Sequence, residues 1–145
     1  MKIQIIAVGV LKNGSEKDLL EQYSKRLTYK LKIIEIDSRQ DKQASASAYL
    51  KFISDKDIVI VLDETGENLS SRTFAQKIEM FSQTGKTINF IIGGANGIPE
   101  EIKQLAAFSL SFGKLTWPHL LVRALLVEQL YRAQQILGNH PYHRD

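Results

Sequence analysis

The chain has 145 residues, 19 lysines and arginines against 16 aspartates and glutamates, and no cysteine. That length suits one domain with one core that folds without disulfide or metal staples. The missing cysteines exclude zinc fingers, thiol nucleophiles and redox dithiols, and fit a reducing cytoplasm, while a net charge of +3 is too small to mark a nucleic-acid binder by itself.

The opening MKIQIIAVGVLKNG has no small-residue cleavage site and reads as a first strand, residues 2–8, rather than a signal peptide. Leu19, Leu20, Tyr23 and Leu27 follow at helical spacing, then a strand over 31–37 and a helix carrying Ala46, Tyr49, Leu50 and Ile53. The run DIVIVL, 57–62, is apolar almost throughout and suits a central strand covered on both faces. Ser70 is an N-cap candidate for the helix carrying Phe74, Ile78 and Phe81. After a strand over 86–92, Pro99 with two glutamates behind it starts a helix through Ile102, Leu105 and Ala106, and a strand over 108–115 follows. Strands alternating with helices predict the α/β class: a parallel sheet with helices on both faces.

A last helix is expected over His119–Leu137, with apolar residues around most of its circumference. Such a helix is covered on more than one side, either within the chain or by a second copy in a homodimer. No uncharged apolar stretch reaches about 18 residues, so no membrane span is expected. Lys25, Arg26, Lys30 and Lys32 form the one dense basic cluster, either a solvated helix end or a phosphate-contacting patch.

Four segments are candidates for chemistry. Gly93-Gly94-Ala95-Asn96-Gly97 lies at a strand end, where α/β sheets bind ligands, and is either a ligand loop or a plain tight turn. It matches neither the dinucleotide nor the P-loop fingerprint. Leu110 to His119 mixes polar backbone with Leu115 and the sole tryptophan, Trp117, which suits a small cofactor pocket or simply packs the helix start. In Leu62 to Glu67, the carboxylates of Asp63 and Glu64 are ribose acceptors or solvated turn residues. The tail Gly138-Asn139-His140-Pro141-Tyr142-His143-Arg144-Asp145 crowds two histidines, a tyrosine and an arginine together. No carboxylate pair completes a metal site around His140 and His143, so no metal is expected. The set suits recognition of an RNA base, or proton transfer to one.

The segments MKIQIIAVG, VLDETG, IIGGANG, LSFGKLTWPHLLVRALLVEQLYRA and NHPYHRD, in this order and spacing, resemble the ribosomal RNA large subunit methyltransferase H family of the SPOUT superfamily over the full length. The resemblance implies an α/β fold with a C-terminal trefoil knot, a homodimer through the 119–137 helix, and S-adenosyl-L-methionine as methyl donor. It implies methylation at N3 of a pseudouridine in 23S rRNA on the assembled 70S ribosome, in the cytoplasm. Carried over residue by residue, cofactor binding falls on Leu62, Gly93, Gly94, Phe112, Gly113, Lys114, Leu115, Thr116 and Trp117. The catalytic candidates are His140, Tyr142, His143 and Arg144. Competing readings are a methyltransferase of the same superfamily acting on tRNA, and a non-catalytic RNA- or ribosome-binding factor of the same fold.

Overall fold

The computed structural model describes residues 1–37 and 44–145. Ten elements alternate: β1 (Lys2–Val8), α1 (Ser15–Ser24), β2 (Lys30–Ile36), α2 (Ala46–Leu50), β3 (Ile58–Asn68), α3 (Ser71–Ser82), β4 (Ile88–Ile92), α4 (Glu100–Leu105), β5 (Phe108–Ser111) and α5 (His119–Leu137). The five strands form one sheet in the order β2-β1-β4-β3-β5, every pairing parallel. The α/β expectation is therefore met. DIVIVL lies in β3, an interior strand, but the middle position belongs to β4, all five residues of which are buried.

Side-chain alternation along the strands divides the core into two layers. Ile3, Ile5 and Ala7 of β1, with Ile60 and Phe90, pack among Leu20 of α1, Phe74 and Ile78 of α3, and Leu126, Val127 and Leu130 of α5. Ile6 and Val8, with Val59, Val61 and Ile91, meet Tyr49 of α2 and Ile102 of α4 on the opposite face. Polar bonds pin the register: Gln4 Nε2 donates to Asn89 Oδ1 at 2.7 Å, and Asn89 Nδ2 donates to Asp57 Oδ2 at 2.9 Å. Ser70 caps α3 by accepting from the Thr73 amide at 3.1 Å, as its position suggests.

Three differences from the boundaries read in the sequence bear on the candidate segments. β3 runs on through Asn68, because after a register shift between Leu62 and Glu67 the chain pairs again with Leu110 and Ser111. The Asp63–Glu67 segment is thus a bulge within a strand, not a free loop. β5 stops at Ser111, since Ser111 Oγ accepts from the Gly113 amide at 3.0 Å and Gly113 sits at φ 116. α1 ends at Ser24, leaving Lys30 and Lys32 on the edge strand β2. The basic cluster therefore spans a helix end and a strand.

α5 packs on α1 and α3, and none of its residues is fully exposed. Much of its apolar circumference is covered inside one chain. Its first turns also hold the one buried arginine among the described residues. Arg123 is 1% exposed. It donates to Val8 O at 3.1 Å, Gly9 O at 2.6 Å and Glu35 Oε2 at 2.7 Å. Burial works against the Glu35 carboxylate, but the Leu11 amide and Arg123 outweigh it and hold the group below its usual range. A carboxyl lowered on folding stabilises above its unfolded value of about 4.5 and loses that contribution as pH falls through the lower folded value.

Arg123→Met should cost about 3 kcal/mol, because it strands a carboxylate and two carbonyls together. Urea unfolding at pH 7 and pH 3 checks this. The difference between wild type and variant should shrink at pH 3.

Candidate functional site

The parallel strands all deliver their C-terminal ends to one edge of the sheet, and there the ends of β3, β4 and β5 enclose a cavity of about 470 Å³. Of the nine proposed cofactor residues, Leu62, Gly93, Gly94, Phe112, Gly113, Leu115, Thr116 and Trp117 line it. Lys114 is exposed and lies outside the lining.

Close packing explains the glycines of the β4 turn. A Cβ on Gly93 would stand 2.8 Å from the backbone C and O of Gly97, and one on Gly94 would stand 2.9 Å from Val8 Cγ1. The turn closes with Gly97 N donating to Gly94 O at 3.0 Å. Opposite it, the chain after β5 is tied to the β3 bulge. Ser111 Oγ donates to Glu64 O at 3.2 Å, and Thr116 Oγ1 donates to Glu64 Oε2 at 3.1 Å. Trp117 Nε1 reaches back to Phe112 O at 3.4 Å.

The bulge presents its carboxylates to the cavity. Asp63 accepts from the Thr65 amide at 3.0 Å and pairs with Lys103 Nζ of α4 at 3.0 Å. The Thr65 amide first, and then Lys103 against the cost of burial, hold Asp63 below the usual carboxylate range. Thr65, Lys103, Ile98, His119 and Val122 also line it; Thr65 and His119 fall in segments the sequence marks as candidates, and Ile98, Lys103 and Val122 do not. Asp63 and Thr65 carried a local signal, the spacing of an Asx turn. Lys103 arrives from a distant segment, whereas His119 closes the Leu110–His119 segment.

The lining is apolar at Leu62, Ile92, Leu110 and Phe112 and polar at Asp63, Glu64, Thr116 and the turn amides. Leu115 and Trp117 stand 73% and 41% exposed at its edge. Flat apolar contact beside hydroxyl acceptors and tightly approached backbone suits a nucleoside-bearing ligand.

The tail lies elsewhere in the chain. Tyr142 donates to Glu128 Oε1 at 3.0 Å and packs edge-on to Tyr131 at 4.7 Å between ring centres. Burial and then Glu128 push its phenol up, so it keeps its proton. His143 is held at both ring nitrogens: Nδ1 by Arg132 at 3.2 Å and Nε2 by Asp145 at 3.1 Å. Asp145 in turn takes two bonds from Arg72 of α3, at 2.7 and 2.8 Å. His140 Nδ1 accepts from the Tyr142 amide at 3.2 Å. Arg144 is exposed, with no ion-pair partner among the described residues. Of the four catalytic candidates Tyr142 and His143 are held by Glu128 and Arg132 of α5, His140 by the Tyr142 amide, and none of the four lines the cavity at the strand ends. Glu128 instead borders a second cavity of about 360 Å³, which shares Leu110, Phe112 and Trp117 with the first.

Residues 1–143 match the protein family described as "Predicted SPOUT methyltransferase". The chain belongs to the SPOUT methyltransferase family. Among its relatives, the ribosomal RNA large subunit methyltransferase H of Rhodospirillum centenum is 41% identical, with 99% of each chain covered. That of Zymomonas mobilis is 42% identical over 100% of this chain and 99% of its own. A solved structure of a probable methylase family protein from Haemophilus influenzae superposes with a TM-score of 0.60 at 12% identity, covering 99% of this chain and 70% of the other. That likeness is one of fold. SPOUT methyltransferases use S-adenosylmethionine, and the mixed lining of the strand-end cavity fits its adenine, ribose and amino-acid parts.

Gly93→Ala should cost about 2 kcal/mol through the clash with Gly97 backbone. It should also weaken S-adenosylmethionine binding by more than about tenfold, a loss of at least 1.4 kcal/mol. Calorimetric titration of the folded variant measures the second effect.

Proposed function

We propose that this SPOUT methyltransferase methylates N3 of a pseudouridine in 23S rRNA, on the assembled 70S ribosome in the cytoplasm. The observation that carries the reading is end-to-end similarity, about 40% identity, to proteins named for large-subunit rRNA methylation, together with a strand-end cavity lined by eight of the nine expected cofactor residues. The C-terminal trefoil knot and the homodimer through α5 belong to the same reading. The exposed Leu115 and Trp117 beside the start of α5 support the dimer, since they offer apolar surface where a second copy would pack.

When bound, S-adenosylmethionine supplies an electrophilic methyl group at the cavity. The tail residues handle the other half of the reaction. N3 of pseudouridine must lose a proton, and its flanking carbonyl oxygens then gain negative charge. The two histidines are unequal candidates for that proton. Both ring nitrogens of His143 are engaged, by Arg132 and Asp145, whereas His140 holds only the Tyr142 amide, at Nδ1; its neutral ring carries its proton on Nε2, so it takes the N3 proton at Nδ1 once that single contact opens. Arg144, exposed and without an ion-pair partner among the described residues, suits the developing oxyanion or an RNA phosphate. Tyr142, kept protonated, suits positioning the base by stacking or a hydrogen bond. His143 then orders the tail rather than accepting the proton. Because the tail stands apart from the cavity of its own chain, an α5-paired second copy is the natural source of the tail that serves it.

Transfer of labelled methyl from S-adenosylmethionine to 70S particles lacking the modification, to separated subunits and to free rRNA tests the reading. Label on a 23S pseudouridine N3, and chiefly in 70S, is expected, with light scattering giving twice the 16.4 kDa chain mass. Label in tRNA alone would overturn the substrate, and no label anywhere would overturn the enzyme reading. His140→Ala and Arg144→Ala should each lower the transfer rate by about 100-fold. A wild-type rate in both would remove the tail from catalysis.

A further inference from the structure

His119 opens α5 and is the histidine of the strand-end cavity. Its ring sits over the end of β1: a Cβ added to Gly9 would lie 3.3 Å from His119 Nε2. In the sheet order, β4 and its Gly93–Gly94 turn separate that point from β3 with Asp63 and Glu64. Two strand spacings make that about 10 Å. The cavity therefore has two polar ends of opposite character. The β3 end offers carboxylate acceptors.

The β1 end offers donors. Arg123 lies beside His119 but outside the cavity lining, 1% exposed and bonded to Glu35 and the Val8 and Gly9 carbonyls. α5 starts without an acidic residue in its first turn and without a side-chain cap. Its first bonds run from the Leu121 and Val122 amides to Pro118 O, so the amides before them have no intrahelical acceptor. His119 makes no side-chain hydrogen bond among the described residues. Burial, and after it Arg123, hold the imidazole below the usual histidine range, which leaves it neutral at pH 7 with an N–H to give. An uncapped helix start and an unspent imidazole N–H together suit an anion and disfavour a cation.

We infer that His119 is a ligand-contact residue of this cavity, donating a hydrogen bond to the carboxylate at the amino-acid end of S-adenosylmethionine while the ribose hydroxyls face Asp63 and Glu64. The inference rests on the cofactor reading of the cavity and adds the direction in which the ligand lies.

Two ligands that differ at that end separate this role from a structural one. S-adenosylhomocysteine carries the amino-acid group, and 5′-methylthioadenosine has the same nucleoside without it. In calorimetric titrations His119→Ala should weaken S-adenosylhomocysteine by about tenfold, the share of a hydrogen bond to a charged group, and leave 5′-methylthioadenosine unchanged. His119→Gln, which keeps a donor, should recover part of the loss. Equal weakening of both ligands, or of neither, overturns the inference while leaving the cofactor reading in place. Failure of the wild-type protein to bind either ligand overturns both.

Discussion

The buried guanidinium of Arg123 is the interaction on which the site depends. A charge taken out of water is tolerated only when it is paired and bonded, and here the two Nη groups meet the carbonyls of Val8 and Gly9 and the Glu35 carboxylate. Glu35 also accepts from the Leu11 amide at 2.6 Å. One side chain thus fastens the C-terminal helix to the ends of the first two strands and to the connection that follows β1. Val8, so fixed, is the residue against which Gly94 packs. The floor of the cavity and the start of α5 are therefore held by the same contact.

From that anchor the two ends of α5 take different work. Its first residues wall the cavity, while Glu128 and Arg132 further along hold the tail. Nine residues separate Arg123 from Arg132, about 14 Å of helix, which accounts for a tail that gathers beside the cavity's neighbour rather than in the cavity. The Arg72–Asp145–His143–Arg132 chain of polar contacts keeps the tail on its own subunit. Across the cavity, the β4 turn is locked by backbone contacts. The opposite wall, Gly113 to Trp117, is tied to β3 only through exposed or half-buried bonds such as Thr116 to Glu64. A ligand would meet one rigid wall and one adaptable wall.

Much of this was legible in the residues. β1 and α5 run as the apolar patterns suggest, since both patterns are local and long. The end of β3 was not legible, because Glu67 and Asn68 are held by partners more than 40 positions away on β5. Gly93, Gly94 and Gly113 announce a site by type, but that Gly93 is excluded from bearing a side chain by Gly97, and Gly94 by Val8, is a fact of packing. Arg123 reads in sequence as one polar residue on an apolar helix. Only the strand order, with β1 beside β4, brings the carbonyls that accept it. Lys103 was invisible as a cavity residue for the same reason, while His119 closes the Leu110–His119 segment that reads as a pocket.

In the proposed function, the cavity over the ends of β3, β4 and β5 holds the methyl donor. Amide chemical-shift mapping of the labelled protein with S-adenosylhomocysteine tests it most directly. The largest shifts should fall on Gly93, Gly94, Gly113, Thr116 and the first residues of α5. Shifts confined to Asn68–Ser71 and Glu128–Gln129, around the second cavity, would contradict the account.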